Sequence, residues 1–162
     1  MSRCRLIYKS TSTAEVVSNK TLRNLEQRAS DNNKRKGITG LLVLTGNEFL
    51  QVLEGGAADV THLFGQICSD SRHHGLELIT FELEVLPLFN EWGMRLVDLY
   101  DLPGDKRALI SQKYAGKDGE ICVPSDPHLV YAFLLDAKHV CTSTPWRDRD
   151  SLSASDAANQ NR

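Results

Sequence analysis

The chain has 162 residues, 41% of them hydrophobic, which suffices for one sizeable core with a modest extension and favours a single domain. Nineteen Lys and Arg against twenty-one Asp and Glu leave a net charge of −2, so no domain-wide basic field argues for nucleic acid or an anionic membrane. No apolar stretch approaches transmembrane length, the N-terminus lacks the apolar core of a signal peptide, and Cys4, Cys68, Cys122 and Cys141 are spaced for neither zinc nor a dense disulfide framework, so a cytoplasmic, metal-free protein with reduced thiols is expected.

Residues 4–8 are apolar-rich and predict a first strand, broken by the Ser10-Thr11-Ser12-Thr13 run, which reads as a loop. Leu22, Leu25 and Ala29 then fall at helical spacing, with Ser18 or Asn19 able to cap the start and Gly37 suited to a left-handed stop. The cations Lys34-Arg35-Lys36 at its C-terminal end complement the helix dipole. Two apolar runs, 38–45 and 48–54, flank Gly46-Asn47 and predict a hairpin whose strands are buried on both faces. Val60, Leu63, Phe64 and Ile67 match the i, i+3, i+4, i+7 template and predict a second helix over about 58–72.

Ile79, Phe81, Leu83 and Val85 alternate with polar residues, the pattern of a half-buried strand ending before Pro87. A short strand over 92–98 would put Trp92, Met94 and Leu96 on one face. The order strand, helix, strand, strand, helix, strand, strand predicts an α+β fold, a ferredoxin-like βαββαββ sheet with two helices on one face. Beyond residue 100, Leu109, Ile110 and Tyr114 make one helical stripe, and Leu129, Val130, Phe133 and Leu134 make another after the cap-like Ser125-Asp126 and Pro127. These C-terminal helices are the natural cover for the sheet's other face. The chain thus divides into a domain over 1–100, a helical lid over 101–141 and a polar tail over 142–162 expected to be disordered.

One residue of the hairpin stands out. Phe49, Gln51 and Leu53 point to one face while Leu50 and Val52 point to the other, so Gln51 sits in what reads as core. An amide left unpaired away from water costs about 1–3 kcal/mol, and a polar partner must therefore lie opposite it.

With Gln51 in Phe49-x-Gln-x-Leu-Glu-Gly, the chain also carries Tyr8 in the first strand, Asn32-Asn33 late in the first helix, Ile38-Thr39-Gly40 opening the second strand, Asp70-Ser71-Arg72-His73 ending the second helix, and Trp92-Gly93-Met94 in the last strand. In this order and spacing they resemble a BLUF domain, the flavin-binding blue-light sensor, over about residues 3–100, and the chain is similar to the short BLUF proteins. The resemblance implies a noncovalently bound FAD, or FMN or riboflavin in its place, lying between the two helices on the sheet face shared by Tyr8 and Gln51. It implies that Tyr8 gives an electron and a proton to excited flavin, and that Gln51 relays the proton and leaves a stronger hydrogen bond at the ring's C4 carbonyl, by rotation or by tautomerisation. Asn32 and Asn33 would bond the ring's polar edge; taken alone they are ordinary residues at a helix C-terminus. Arg72 would neutralise charge at the carbonyl edge, His73 would line the ring, and Asp70 would orient either; Ile38, Phe49 and Ile67 would wall it. Trp92 and Met94 would be the signal-output pair; taken alone they read as core filling. For His62 and His74 a solvated surface position is expected.

The family's short members pass light information to a separate partner, a regulator or a cyclic-di-nucleotide enzyme, so Tyr100 to Val140 is expected to be the output surface and a homo-oligomer is expected too. Two other readings compete. A flavin-dependent redox enzyme would need a hydride-donor site, but no G-x-G-x-x-G follows a strand. A ferredoxin-like RNA- or ligand-binding module would show exposed aromatics within a basic face, which a net charge of −2 and 7% aromatic content oppose. The chain is therefore expected not to be an enzyme.

Overall fold

The structure is a computed structural model and describes residues 2–13 and 19–142. Its elements are β1 (Arg3–Ser12), α1 (Asn19–Arg35), β2 (Thr39–Thr45), β3 (Glu48–Gly56), α2 (Ala57–Cys68), β4 (His73–Leu83), β5 (Arg95–Asp98), a 3-10 turn (Leu99–Asp101), α3 (Gly104–Tyr114) and α4 (Pro127–Thr142). The sheet order is β4-β1-β3-β2-β5. Four antiparallel strands form the ferredoxin-like core, and β5 is added parallel to β2.

The alternation in the hairpin builds two layers. Leu42, Leu44, Phe49 and Leu53 join Leu6 and Tyr8 in a core closed by Leu22 of α1 and Val60 of α2. Leu41, Val43, Leu50 and Val52 face the other way and pack with Ile7 and Val97 against Ile110 of α3 and Val130, Phe133, Leu134 and Ala137 of α4. Strands buried on both faces need two covers, and the lid supplies the second. Asp126 caps α4, accepting from the amide of His128 at 2.7 Å, with Pro127 in the first turn where its missing N–H costs nothing. Gly37 closes α1 at φ 65°, a left-handed turn that a side chain would strain.

Several boundaries differ from the sequence expectations, each for a physical reason. β1 continues through Ser10, Thr11 and Ser12 because the ladder to β3 runs on to Thr11 opposite Glu48, and backbone pairing is indifferent to hydroxyl side chains. α2 ends at Cys68, so Asp70, Ser71 and Arg72 form a turn and His73 opens β4 instead of closing a helix. β4 lies at the sheet edge; Phe81 and Leu83 remain 40% and 56% exposed, where their alternation implied burial. β5 begins only at Arg95, which leaves Trp92-Gly93-Met94 outside strand geometry. Trp92 packs against the lid-side core and Met94 against the α1/α2-side core, so the two do not share a face. In the lid, Leu109 and Leu129 are 54% and 53% exposed rather than part of the buried stripes. Ser18, one of the two expected caps, and the tail from 143 lie outside the described residues; Asn19 is the first residue of α1.

Candidate functional site

Between α1, α2 and the sheet lies a cavity of about 300 Å³. Its apolar walls are Leu25, Ala29, Leu42, Phe49, Leu63, Ile67 and Met94; its polar lining is Tyr8, Asn32, Asn33, Gln51, Gln66, Asp70, Arg72 and His73, with Glu26 and Arg28 from α1. A cleft with apolar walls and a set of polar groups converging on it from several elements is the general form of a small-molecule site.

At its floor stand the two residues that the pattern singled out. Tyr8 and Gln51 are directly paired across β1 and β3, so their side chains leave the sheet on one face. The Tyr8 hydroxyl donates to Gln51 Oε1. Gln51 Nε2 in turn donates to Met94 Sδ at 3.4 Å, a weak acceptor for a buried amide. Burial pushes the Tyr8 phenol well above its ordinary range, with the nearby Cys68 and Asp70 adding to the shift, so the hydroxyl stays neutral. Tyr8 also touches Phe64, ring centroids 5.3 Å apart.

His73 stands beside this pair. Its Nε2 meets the Ile67 carbonyl at 2.8 Å, which can only accept, so the proton sits on Nε2; Nδ1 lies 2.7 Å from Ser10 Oγ. The ring is thereby fixed edge-on to Tyr8 and Phe49. Arg72 lies along Asp70, Nε to Oδ1 at 2.9 Å, and this hydrogen bond holds the Asp70 carboxyl below the usual carboxylate range and raises Arg72 in turn. Asn33 is buried and donates from Nδ2 to the Gly93 carbonyl at 2.9 Å, while Asn32 is exposed and accepts from Arg35 at 2.7 Å.

The cavity therefore gathers every expected site residue except two. Ile38 is buried behind it, against Gly55, and does not line the wall, because it precedes β2 where the chain turns out of α1. Trp92 lies on the far side of the sheet, so Met94 alone of the output pair reaches Gln51. His62 and His74 are exposed, as expected. The lining residues that were missed, Leu25, Glu26, Arg28 and Ala29 on α1 and Leu63 and Gln66 on α2, do carry a signal. Positions 25, 28, 29 and 32 on α1 and 63, 66 and 67 on α2 follow the helical repeat, so each set marks one helix face. No cluster of His, Cys, Asp and Glu among the described residues is arranged to hold a metal, and no described helix is long and apolar enough to cross a membrane.

A flavin ring fits this donor set. It is a flat, largely apolar body with one edge of carbonyl and imide groups, and the slot pairs apolar walls with amides at Asn32, Asn33 and Gln51, the last holding an N–H whose partner is only a thioether.

Comparison with known proteins agrees. The chain is 30% identical over 97 residues to the blue light- and temperature-regulated antirepressor BluF of Escherichia coli K12, a match that takes in 58% of this chain and 23% of that protein. It is 32% identical over 92 residues to the photoactivated adenylate cyclase subunit alpha of Euglena gracilis, 56% of this chain and 9% of that one. The chain thus spans under a quarter of the length of these relatives. Among solved structures, the dark state of the BLUF protein BlrB superposes with a TM-score of 0.54 at 28% identity, over 66% of this chain and 89% of that one. The photo-activated state of BlsA shares the fold over 90% of this chain and 99% of its own, with a TM-score of 0.72 at 22% identity. A structure of Klebsiella pneumoniae BlrP1 carries FMN. Residues 4–95 match the family described as sensors of blue light using FAD, the description of a sensor and not of an enzyme. With more than half of its length in that match and a cavity of matching chemistry, this chain belongs to the BLUF family of flavin-using blue-light sensors.

Proposed function

We propose that this chain is a blue-light photoreceptor in which Tyr8 and Gln51 form the photochemical relay and the helical segment after residue 100 passes the signal to a separate partner protein. The observation that carries the reading is the continuous line of contact from a buried phenol through an amide to a thioether along the cavity floor.

Flavin bound in the cavity would supply a ring that, on absorbing blue light, oxidises a neighbouring donor. Tyr8 would be that donor, its electron passing to the ring and its proton along the bond to Gln51 Oε1, and both would return to Tyr8 when the charges recombine, leaving no net oxidation. Gln51 offers an acceptor at one end of its amide and two donors at the other, so half a turn of the amide, or a shift to the imidic tautomer, exchanges the two on the side facing Tyr8. Its bond to the Met94 thioether is weak, so little opposes that exchange. Asn33 and Asn32 would bind the polar edge of the ring, His73 would line it in an orientation set by Ser10 and Ile67, Arg72, aligned by Asp70, would neutralise charge at its carbonyl edge, and Phe49 and Ile67 would wall it.

The signal leaves through Met94 and Trp92 towards the lid, and residues 101–141 form the output surface. The partner is a regulator or a cyclic-di-nucleotide enzyme met in the cytoplasm, and the sensor itself assembles as a homo-oligomer. The relatives' names support a downstream effector: an antirepressor in one, adenylate cyclase subunits in another, and cyclic-di-GMP bound in the structure of a third.

The test is the visible spectrum of the purified protein before and after blue light. A yellow protein whose flavin band moves slightly to the red and recovers in the dark supports the reading; a colourless protein that rejects added FAD, or a flavin band that light does not move, refutes it.

A further inference from the structure

The segment between β4 and β5 crosses from one face of the sheet to the other. It starts at Glu84, held at a left-handed φ of 56°, places Phe89 and Trp92 in the lid-side core, and ends with Met94 against Gln51. Its second half is held by Phe89 in the core, by the Gly40 amide donating to the Trp92 carbonyl at 3.1 Å and by Asn33 donating to the Gly93 carbonyl at 2.9 Å. A charge cluster outside the cavity holds its first half.

Glu54 is fully buried on β3, facing the lid. A carboxylate in that position is tolerable only with charge and hydrogen-bond partners. It has both: Arg5 Nε at 2.7 Å, and the backbone amides of Leu88 at 3.0 Å and Phe89 at 2.9 Å. The same Arg5 guanidinium donates to the Leu86 carbonyl at 2.6 Å and to the hydroxyl of Tyr131 on α4, which itself lies 3.3 Å from Glu82. From α4, Lys138 donates to the Leu88 carbonyl at 2.5 Å and pairs with Glu91 at 3.2 Å. One cluster therefore binds the segment to β1 and β3 and, through two side chains, to the lid helix.

We propose that Arg5 and Glu54 are positioning residues that set the segment carrying Met94, and that Tyr131 and Lys138 are the contacts by which a displacement of that segment reaches α4. The proposal rests on the photosensor reading of the cavity. Buried ion pairs contribute little net stability but are well suited to selecting one arrangement over another. A light-driven rearrangement of Gln51 alters its bond to Met94 at one end of the segment. Lys138 ties α4 directly to the segment at 88 and 91, and Arg5, bonded to both Leu86 and Tyr131, ties it at one remove, so a shift of the segment changes the polar part of the α4 docking while its apolar face stays on the sheet. Coupling of this kind is a difference in free energy between two lid arrangements.

The test uses flavin-loaded full chain and two readouts, the red shift of the flavin band and hydrogen exchange of the α4 amides in the dark and under blue light. In the wild type, the exchange rates at α4 should differ by about fivefold or more between the two conditions. In the Tyr131→Phe, Lys138→Met double variant the band shift should persist while the light–dark ratio at α4 collapses to about one, and Lys138→Arg should restore it. A merely structural role would raise exchange equally in light and dark and leave the ratio unchanged; that result overturns the proposal. Glu54→Gln is the stronger perturbation, but it strands Arg5 in the core, and the partly exposed α4 variants keep the test independent of whether it folds. A wild type with a band shift but no light–dark difference at α4 refutes the coupling alone. A wild type with no band shift refutes the photosensor reading and the coupling with it.

Discussion

The hydroxyl of Tyr8 and the amide of Gln51 are each other's buried partners, and this mutual dependence can be measured. Tyr8→Phe deletes the donor and leaves Gln51 Oε1 in a site almost closed to water. Gln51→Leu deletes the acceptor and leaves the phenol hydroxyl in the same position. A stranded buried polar atom costs about 1–3 kcal/mol, so each single variant should lose about 1–2 kcal/mol. For a chain of this size that is a fall in Tm of about 3–8 °C. Removing both partners leaves nothing stranded at this contact, and the double variant should lose about 1–2 kcal/mol less than the sum of the singles. Chemical denaturation of the four proteins, each corrected for the stabilisation that its own measured Kd for FAD contributes, gives the coupling. Both single variants should also keep the flavin and lose the light-induced band shift. Costs that add to within about 0.5 kcal/mol would show that the two groups do not depend on each other, and a band shift that survives in either single variant would refute the relay.

The raised Tyr8 phenol has a consequence in alkali. Its proton is held more tightly in the folded state than in the unfolded chain, where it ionises near pH 10, so stability is intact below that pH and falls as pH rises above it. Burial also raises Tyr114 and pushes Tyr131 up to about 12; Tm measured from pH 8 to 11.5 should thus drop in the wild type and drop less steeply in Tyr8→Phe. Two glycines should respond with opposite signs. A Cβ on Gly93 would lie 2.5 Å from the Ser30 carbonyl oxygen and 2.8 Å from Lys34, so Gly93→Ala should cost about 1–3 kcal/mol, whereas Gly65 has nothing within 4 Å and Gly65→Ala, inside α2, should gain up to about 1 kcal/mol; thermal melts compare them. Phe133→Ala empties a fully buried position between α4 and the sheet and should cost about 3–5 kcal/mol by urea denaturation while leaving the cavity on the other face able to bind FAD.

The parts of this molecule that follow from chain periodicity were readable in advance. Alternation put Gln51 on one face with Phe49 and Leu53, the family resemblance put Tyr8 on that face with it, and the unbroken apolar hairpin required a second cover that α3 and α4 provide. What periodicity did not reveal depends on contacts between distant residues. Phe81 and Leu83 alternate as a buried strand would, yet they lie on the outermost strand and stay partly exposed, and pattern alone does not say which strand is outermost. Trp92 and Met94 are two apart, which means one face only inside a strand, and the strand starts three residues after Trp92. The cluster at Glu54 was invisible because it joins distant residues. Arg5 and Glu54 are 49 positions apart, and each by itself reads as a surface charge.

The sheet's two ends are secured very unequally. At one end β4 pairs with β1 at eight positions, interrupted by two bulges; at the other, β5 meets β2 at only four, in the parallel arrangement that holds slightly less firmly per residue. A local opening there can peel away one short strand and leave the remaining four intact. The terminal strand that Met94 leads into is therefore the part of the sheet that can change its seating many times while the scaffold around the cavity keeps its shape.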